Sequence, residues 1–182
     1  MKNFKLVIGV LLIMFLLASC VTLEGGAVFG SERLKYSNVD FKSDVSTKAS
    51  NSTSSSETGF YLGVQFTDIP IAEGLEFRPT VHYVAIKDLD QIQVPLLVRY
   101  SFTDEFHALA GPNLGFLMDT GEGVKSFNFG ADLGLAYDIS DDFSIGAKYN
   151  MGFSNLFENG GGDYSLKLSH FMVGVAYRFH KK

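Results

Sequence analysis

The chain has 182 residues, 46% of them hydrophobic and only 19% charged, with 19 glycines, 17 phenylalanines, 8 tyrosines, no tryptophan and a net charge of −5. A length of this order suits one domain, and the charged fraction falls below the roughly 25% of an ordinary soluble domain. The acidic balance excludes a nucleic-acid binder, and a single cysteine excludes a disulfide framework.

The N-terminus reads as an export signal. Lys2 and Lys5 form a basic segment ahead of the mostly apolar run from Leu6 to Leu17, which is too short for a bilayer-spanning helix. Leu17-Ala18-Ser19-Cys20 has the form of a lipobox, which would make Cys20 a lipidated first residue; ordinary cleavage between Ala18 and Val21 is the alternative. On either reading the chain is exported, with residues 1–20 as the signal segment (Cys20 retained if lipidated) and 21–182 as the barrel domain. Their removal takes two lysines and no acid, which moves the net charge from −5 to −7.

Residues 21–30 form a first strand whose alternation is blurred by glycines. The following stretch, about 31–58, reads as a loop, because ten of the sixteen residues from Ser43 to Thr58 are Ser or Thr. The second strand sets Phe60, Leu62, Val64 and Phe66 against Tyr61, Gly63, Gln65 and Thr67, a period of two that defines a strand with two different faces. A turn spans Asp68 to Gly74. In the third strand Leu75, Phe77, Pro79, Val81, Tyr83 and Ala85 oppose Glu76, Arg78, Thr80 and His82. A proline within a strand predicts a bulge at Pro79.

The fourth strand runs from Gln91 to Phe102, with Gln91, Gln93, Pro95, Leu97, Arg99 and Ser101 on one face. The fifth, Phe106 to Met118, places Leu109, Gly111, Asn113 and Gly115 together. The sixth sets seven apolar residues from Phe127 to Ile139 against Asn128, Gly130, Asp132, Gly134, Ala136 and Asp138. The seventh sets Phe143, Ile145, Ala147, Tyr149, Met151 and Phe153 against Ser144, Gly146, Lys148, Asn150 and Gly152. After a glycine-rich loop near Asn159 to Asp163, the last strand places Phe171, Val173, Val175, Tyr177 and Phe179 on one face, with Met172, Gly174, Ala176 and Arg178 on the other.

One face of each strand is thus apolar, and the other is small, polar or charged. Joins near 68–74, 103–105 and 140–142 are short, while those at 31–58, 86–91, 119–125 and 155–165 are on average longer. Strands of about ten residues, with short turns at one rim and longer loops at the other, predict an all-β, eight-stranded, antiparallel up-and-down transmembrane barrel. Its apolar face meets outer-membrane lipid. Its interior receives Glu76, Arg78, His82, Arg99, Asn113, Asp132, Lys148 and Arg178, read as a structural polar network, because an unpaired buried charge is costly. Aromatics at Phe102, Phe106, Tyr137, Phe143, Tyr177 and Phe179 gather near the short-turn rim, where an interfacial girdle belongs.

No catalytic or cofactor chemistry is legible. His82, His107, His170 and His180 lack metal-ligand spacing, and neither a nucleophile elbow nor a phosphate-binding loop occurs. Ser169 and His170 are adjacent, so their side chains point to opposite faces and cannot share a proton.

Several runs carry a family resemblance: Gly59–Phe66 (GFYLGVQF), Leu75–Tyr83 (LEFRPTVHY), Ile92–Tyr100 (IQVPLLVRY), Ala110–Gly115 (AGPNLG) and the terminal aromatic strand. Together they resemble the small outer-membrane β-barrel domain proteins of Bacteroidetes, related in architecture to OmpA- and OmpX-type barrels. The resemblance implies a fold and a location in the outer membrane of a Gram-negative bacterium, but no shared reaction. It also implies that Phe171, Val173, Val175, Tyr177 and Phe179 form the signal read by the outer-membrane insertion machinery, although His180-Lys181-Lys182 follow the usual terminal aromatic. The expectation is a monomer without a cofactor or catalysis, structural or interacting with an extracellular partner through its loops. The alternatives are an exported lipocalin-like barrel that turns its apolar face inward around a small apolar ligand, and a small-solute pore.

Overall fold

The computed structural model describes residues 20–37, 50–66, 68–87, 89–118, 120, 123–157 and 164–180. Among these are nine strands: β1 (Cys20–Ser37), β2 (Ser50–Gln65), β3 (Ile69–Ala72), β4 (Leu75–Ile86), β5 (Leu89–Ser101), β6 (Phe106–Leu117), β7 (Phe127–Asp138), β8 (Phe143–Gly152) and β9 (Tyr164–His180). Each pairs antiparallel with its neighbour, and β1 pairs with both β2 and β9 while β2 pairs with β4. The ring β1-β2-β4-β5-β6-β7-β8-β9 therefore closes as an eight-stranded barrel, with β3 as a short addition to β4. Closure leaves no open sheet edge at the level of the hydrocarbon.

The pleat assigns the faces. Along β9, Phe171, Val173, Val175, Tyr177 and Phe179 are exposed, while Met172 between them is 1% exposed. The same holds around the ring, where Leu62, Leu133, Leu135 and Ile145 lie outside and Leu97 and Leu109 lie inside. A lipocalin-like barrel would need the opposite arrangement. Aromatic rings form a belt at the short-turn rim, through Tyr100–Phe102 at 5.0 Å, Phe102–Phe106 at 6.2 Å, Phe143–Tyr177 at 4.8 Å and Tyr177–Phe179 at 4.7 Å between centroids. A second group, Phe116–Phe127 at 5.4 Å and Phe129–Phe153 at 6.1 Å, lies toward the long-loop rim. Two girdles separated by an apolar band are the outer surface of a membrane-spanning barrel.

Three local expectations need correction. First, the region about 31–58 is not all loop. The β1–β2 ladder continues from Gly30↔Glu57 to Ser37↔Ser50, so residues 31–37 and 50–58 are strand; residues 38–49 lie outside the described residues. Ser and Thr satisfy a ladder as well as any residue, since pairing uses the backbone, and their polarity says only that this part of the hairpin is not in lipid. Second, the turn at 68–74 contains β3, which pairs Ile69↔Phe77 and Ala72↔Leu75 around a tight reversal at Glu73-Gly74. Gly74 has φ +70°, a left-handed conformation that glycine adopts without steric cost. Third, there is no bulge at Pro79. The β4–β5 register is the same on both sides of it, from Pro79↔Leu96 to His82↔Gln93, and the register shift falls instead between Pro70 and Ala72. The carbonyl of Pro79 accepts the N–H of Phe66 at 3.0 Å.

Glycine is required where β1 meets β9. Gly26 lies opposite Gly174, and a Cβ on Gly26 would run into the backbone at Val173 and Gly174. A Cβ on Gly174 would meet the Tyr61 hydroxyl, which reaches over β1 from β2. Of the segment 1–20 expected to be a signal peptide, residues 1–19 lie outside the described residues. Cys20 begins β1 opposite His180, at the short-turn rim.

Candidate functional site: the filled lumen and its two mouths

Inward-facing side chains arrange themselves in tiers. The tier at the short-turn rim is built on two arginines. Arg78 donates from Nε and Nη2 to the two oxygens of Asp68, each at 2.8 Å, in the fork-to-fork geometry that favours Arg–carboxylate pairs. Arg99 donates to Asp138 at 2.8 Å and to Glu76 at 3.2 Å, lies 3.6 Å from Asp68, and contacts the His107 ring. Arg178 approaches Asp138 at 3.8 Å and donates to the Asp141 carbonyl at 3.2 Å. This tier forms the floor of an open concavity of about 470 Å³ at the short-turn mouth.

The middle tier joins strands that are not neighbours. Lys148 on β8 donates to both oxygens of Glu24 on β1 at 3.2 Å, and His82 on β4 contacts the same carboxylate. The ammonium also lies 5.5 Å from the centre of the Tyr61 ring, on β2, a distance that allows a cation–π attraction. A small cavity of about 30 Å³ beside Glu24 and Lys148 has room for a water molecule or two.

The upper tier is mostly neutral. Asn113 donates to the two oxygens of Asp132 at 3.0 and 2.9 Å, and Asn150 donates to one of them at 2.5 Å. Asn113 also reaches Gln93 at 3.2 Å, and the amides of Gln93 and Gln91 point to His170 Nε2 at 2.6 and 3.3 Å. Above this tier the long-loop mouth is apolar. Leu156, from the β8–β9 connection, is wholly buried on Leu117 and Leu168, with Leu89, Val124 and Leu166 around them. Backbone bonds hold the connections together here: Lys125 N–H to Leu156 O at 2.7 Å, Leu156 N–H to Leu166 O at 3.0 Å, and a bridge between Val124 and Phe157.

Of the eight interior residues read from the sequence, Arg78, His82, Arg99, Asn113, Asp132 and Lys148 are buried, while Glu76 and Arg178 sit partly exposed at the short-turn mouth. They do not form one network. Glu76, Arg78, Arg99 and Arg178 share the rim tier, His82 and Lys148 the middle one, and Asn113 and Asp132 the upper one. Sequence reasoning missed Glu24, Asp68, His107 and His170 as interior partners, and it set Asp138 on the polar face of its strand without including it in the network. Glu24 and Asp138 follow the alternation of their strands and were findable. Asp68 was not, because it sits in the break between β2 and β3.

Residues 9–179 match the family model of the outer membrane protein β-barrel domain. The chain belongs to that family. The barrel resembles OprG of Pseudomonas aeruginosa (16% identity over 90% of this chain and 97% of that one, TM-score 0.46). It likewise resembles Ail, the attachment invasion locus protein of Yersinia pestis (16%, 88% and 98%, TM-score 0.45), and Neisserial surface protein A (12%, 89% and 98%, TM-score 0.48). No curated protein sequence matches the chain. Family membership places this barrel with the outer-membrane proteins of Gram-negative bacteria.

Proposed function

We propose that this outer-membrane barrel is a non-conducting scaffold that presents the projecting β2-β1-β9 sheet to an extracellular partner. The observation that carries the reading is the ladder beyond the rim. β2 last pairs with β4 at Gly59↔Ile86, yet β1 and β2 continue for seven pairs past Gly30↔Glu57, up to Ser37↔Ser50. At about 3.4 Å per residue this adds roughly 24 Å of sheet. Among the described residues, Ser50 to Thr58 of β2 pair only with β1, and Tyr164 to Leu168 of β9 pair only with β1. The β9 edge is partly covered, since Leu166 accepts the Leu156 N–H at 3.0 Å and donates to Asn155 Oδ1 at 3.1 Å, so it is the β2 edge that offers a row of backbone N–H and C=O groups, the template to which an extended peptide adds as a strand. The Ser/Thr-rich sequence of the β2 edge keeps it soluble.

The filled lumen argues against the pore alternative, since ion pairs and amides occupy each tier and Leu156 covers the upper mouth. In planar bilayers the purified protein should give no steady conductance; persistent single-channel steps would make the pore the better reading. Orientation is tested on intact cells with a membrane-impermeant maleimide: Glu57→Cys should be labelled and Asp104→Cys should not, and the reverse result would sink the surface role.

We also propose that Cys20 carries a lipid. Its place at the short-turn rim, the end that faces the periplasm in this reading, puts a diacylglycerol there level with the inner leaflet. The mass of the mature N-terminal peptide should show the lipid adduct on Cys20; an unmodified peptide beginning near Val21 would dismiss it.

A further inference from the structure

Exposed charge is divided between the two rims. Among the described residues, each exposed lysine (Lys87, Lys125, Lys167) lies at the long-loop rim, and each exposed acid (Glu73, Asp104, Glu105, Asp141, Asp142) lies at the short-turn rim.

The basic side is concentrated on one face of the projecting sheet. Phe29 and Phe171 lie in register on the lipid face of β1 and β9. A period of two carries that face upward. The ladders set eleven positions on it, within Ser31 to Ser37, Ser50 to Ser56 and Ser165 to Ser169; eight are serine and three are basic, Arg33, Lys35 and Lys167. None is acidic. Arg33 stands directly opposite Lys167, with Ser54 on its other side, and Lys35 follows one pleat higher between Ser52 and Ser165. Like charges directly opposite one another destabilise a sheet, so this pairing calls for an anion shared between them. Guanidinium, ammonium and hydroxyl groups are the donors that phosphate takes.

The height of the three residues points to the source of that phosphate. Stepping along paired residues from Ile86 of β4 through β2, β1, β9, β8, β7, β6 and β5 returns to β4 at Glu76, ten residues lower. With strands tilted by about 40°, each residue rises roughly 2.5 Å along the barrel axis, so each step of the circuit descends about 3 Å. The β8–β9 register, continued two residues past Met151↔Ser169, brings Phe153 of the upper girdle opposite Lys167. Lys167 is therefore about 3 Å above the girdle, Arg33 about 6 Å and Lys35 about 11 Å. The headgroup layer adds about 5–7 Å to each side of the hydrocarbon. The basic face stands at the level of the lipid phosphates and on the side of the sheet turned toward them.

We propose that the outward face at Arg33, Lys35 and Lys167 binds the phosphate group of an anionic lipid in the leaflet around the long-loop rim. The orientation given under the surface role serves only to name that leaflet as the outer one. The face is distinct from the β2 edge, so either can fail without the other.

The test is native mass spectrometry of the barrel refolded in detergent and offered phosphatidic acid and phosphatidylcholine in equal amounts. Phosphatidic acid should be retained roughly tenfold over phosphatidylcholine, and the preference should fall to within about twofold in Arg33→Ser with Lys167→Ser. That variant should keep its gel shift on heating, since serine already fills the neighbouring positions of the face. If it does not refold, Lys167→Ser alone should lower the preference several-fold. Lys87→Ser with Lys125→Ser, which removes the same charge elsewhere on the rim, should keep most of the preference. Equal retention of the two lipids by the unmodified barrel, or an undiminished preference without Arg33 and Lys167, would overturn the proposal. An equal loss in the Lys87 and Lys125 variant would also overturn it, by making the effect one of net charge. Displacement of phosphatidic acid by millimolar inorganic phosphate at constant ionic strength would make this a site for a soluble anion and overturn the lipid assignment.

Discussion

Glu24→Ala should lower the stability of the barrel by about 3–5 kcal/mol, the cost of leaving a buried charge without its partner. Lys148 is 6% exposed and, among the described residues, Glu24 is its only carboxylate partner. Without Glu24 the ammonium would keep only the Tyr61 ring and the neutral side of His82, neither of which replaces a carboxylate. The same change removes the link between β1 and β8, which lie on opposite sides of β9, and between β1 and β4 beyond β2. The urea midpoint of refolding into micelles measures the loss. The double variant Glu24→Ala with Lys148→Met should recover most of it, because an apolar residue of similar length needs no countercharge. If Glu24→Ala is neutral while the double variant is not, the middle tier is wet enough to screen its charges and its ion pair is not structural.

Leu133→Arg should cost about 2–4 kcal/mol, whereas Tyr137→Arg on the same face should cost only about 0–1 kcal/mol. Leu133 is half exposed in the middle of β7, facing away from the lumen between Ala110 and Tyr149, while Tyr137 belongs to the belt at the short-turn rim. Both are about half exposed, so area alone gives no reason for a difference. Lipid does, since a guanidinium at the bilayer midplane cannot reach water as easily as one at the interface. Refolding into lipid vesicles, followed by the gel-mobility shift on heating, separates the cases. Equal tolerance at both positions would mean that the apolar band does not lie in hydrocarbon.

How far these residues were legible in advance depended on what their positions required. The face of Leu133 was readable because alternation alone decides it, and the inward set from Glu76 to Arg178 followed from the same period. Pairing partners were a different matter. Glu24 and Lys148 are separated by 124 positions, and no local pattern connects them. Their meeting depends on the closure that sets β1 beside β9 and β8 beside β9 in a particular register. Asp68 was hidden for another reason. It lies in the irregular step between β2 and β3, where the pleat that would have predicted its direction is interrupted, so that only the position of Arg78 across the hairpin brings it inward. The Ser/Thr tract misled because composition reports solvation, not pairing.

By itself, the sequence determined the class of the protein: a period of two in strand after strand, with an apolar and a polar face, has one stable solution in lipid, which is a closed antiparallel barrel. Only the tertiary structure decided how the interior charges divide into tiers, how far β1, β2 and β9 project, and that Asp132 is held by the amides of Asn113 and Asn150. Side-chain direction is local and is set by each strand's own pleat. Partner choice is not, because it depends on the register of all eight strands around the ring, and a shift of one residue at any seam would have exchanged the faces and left different charges unpaired.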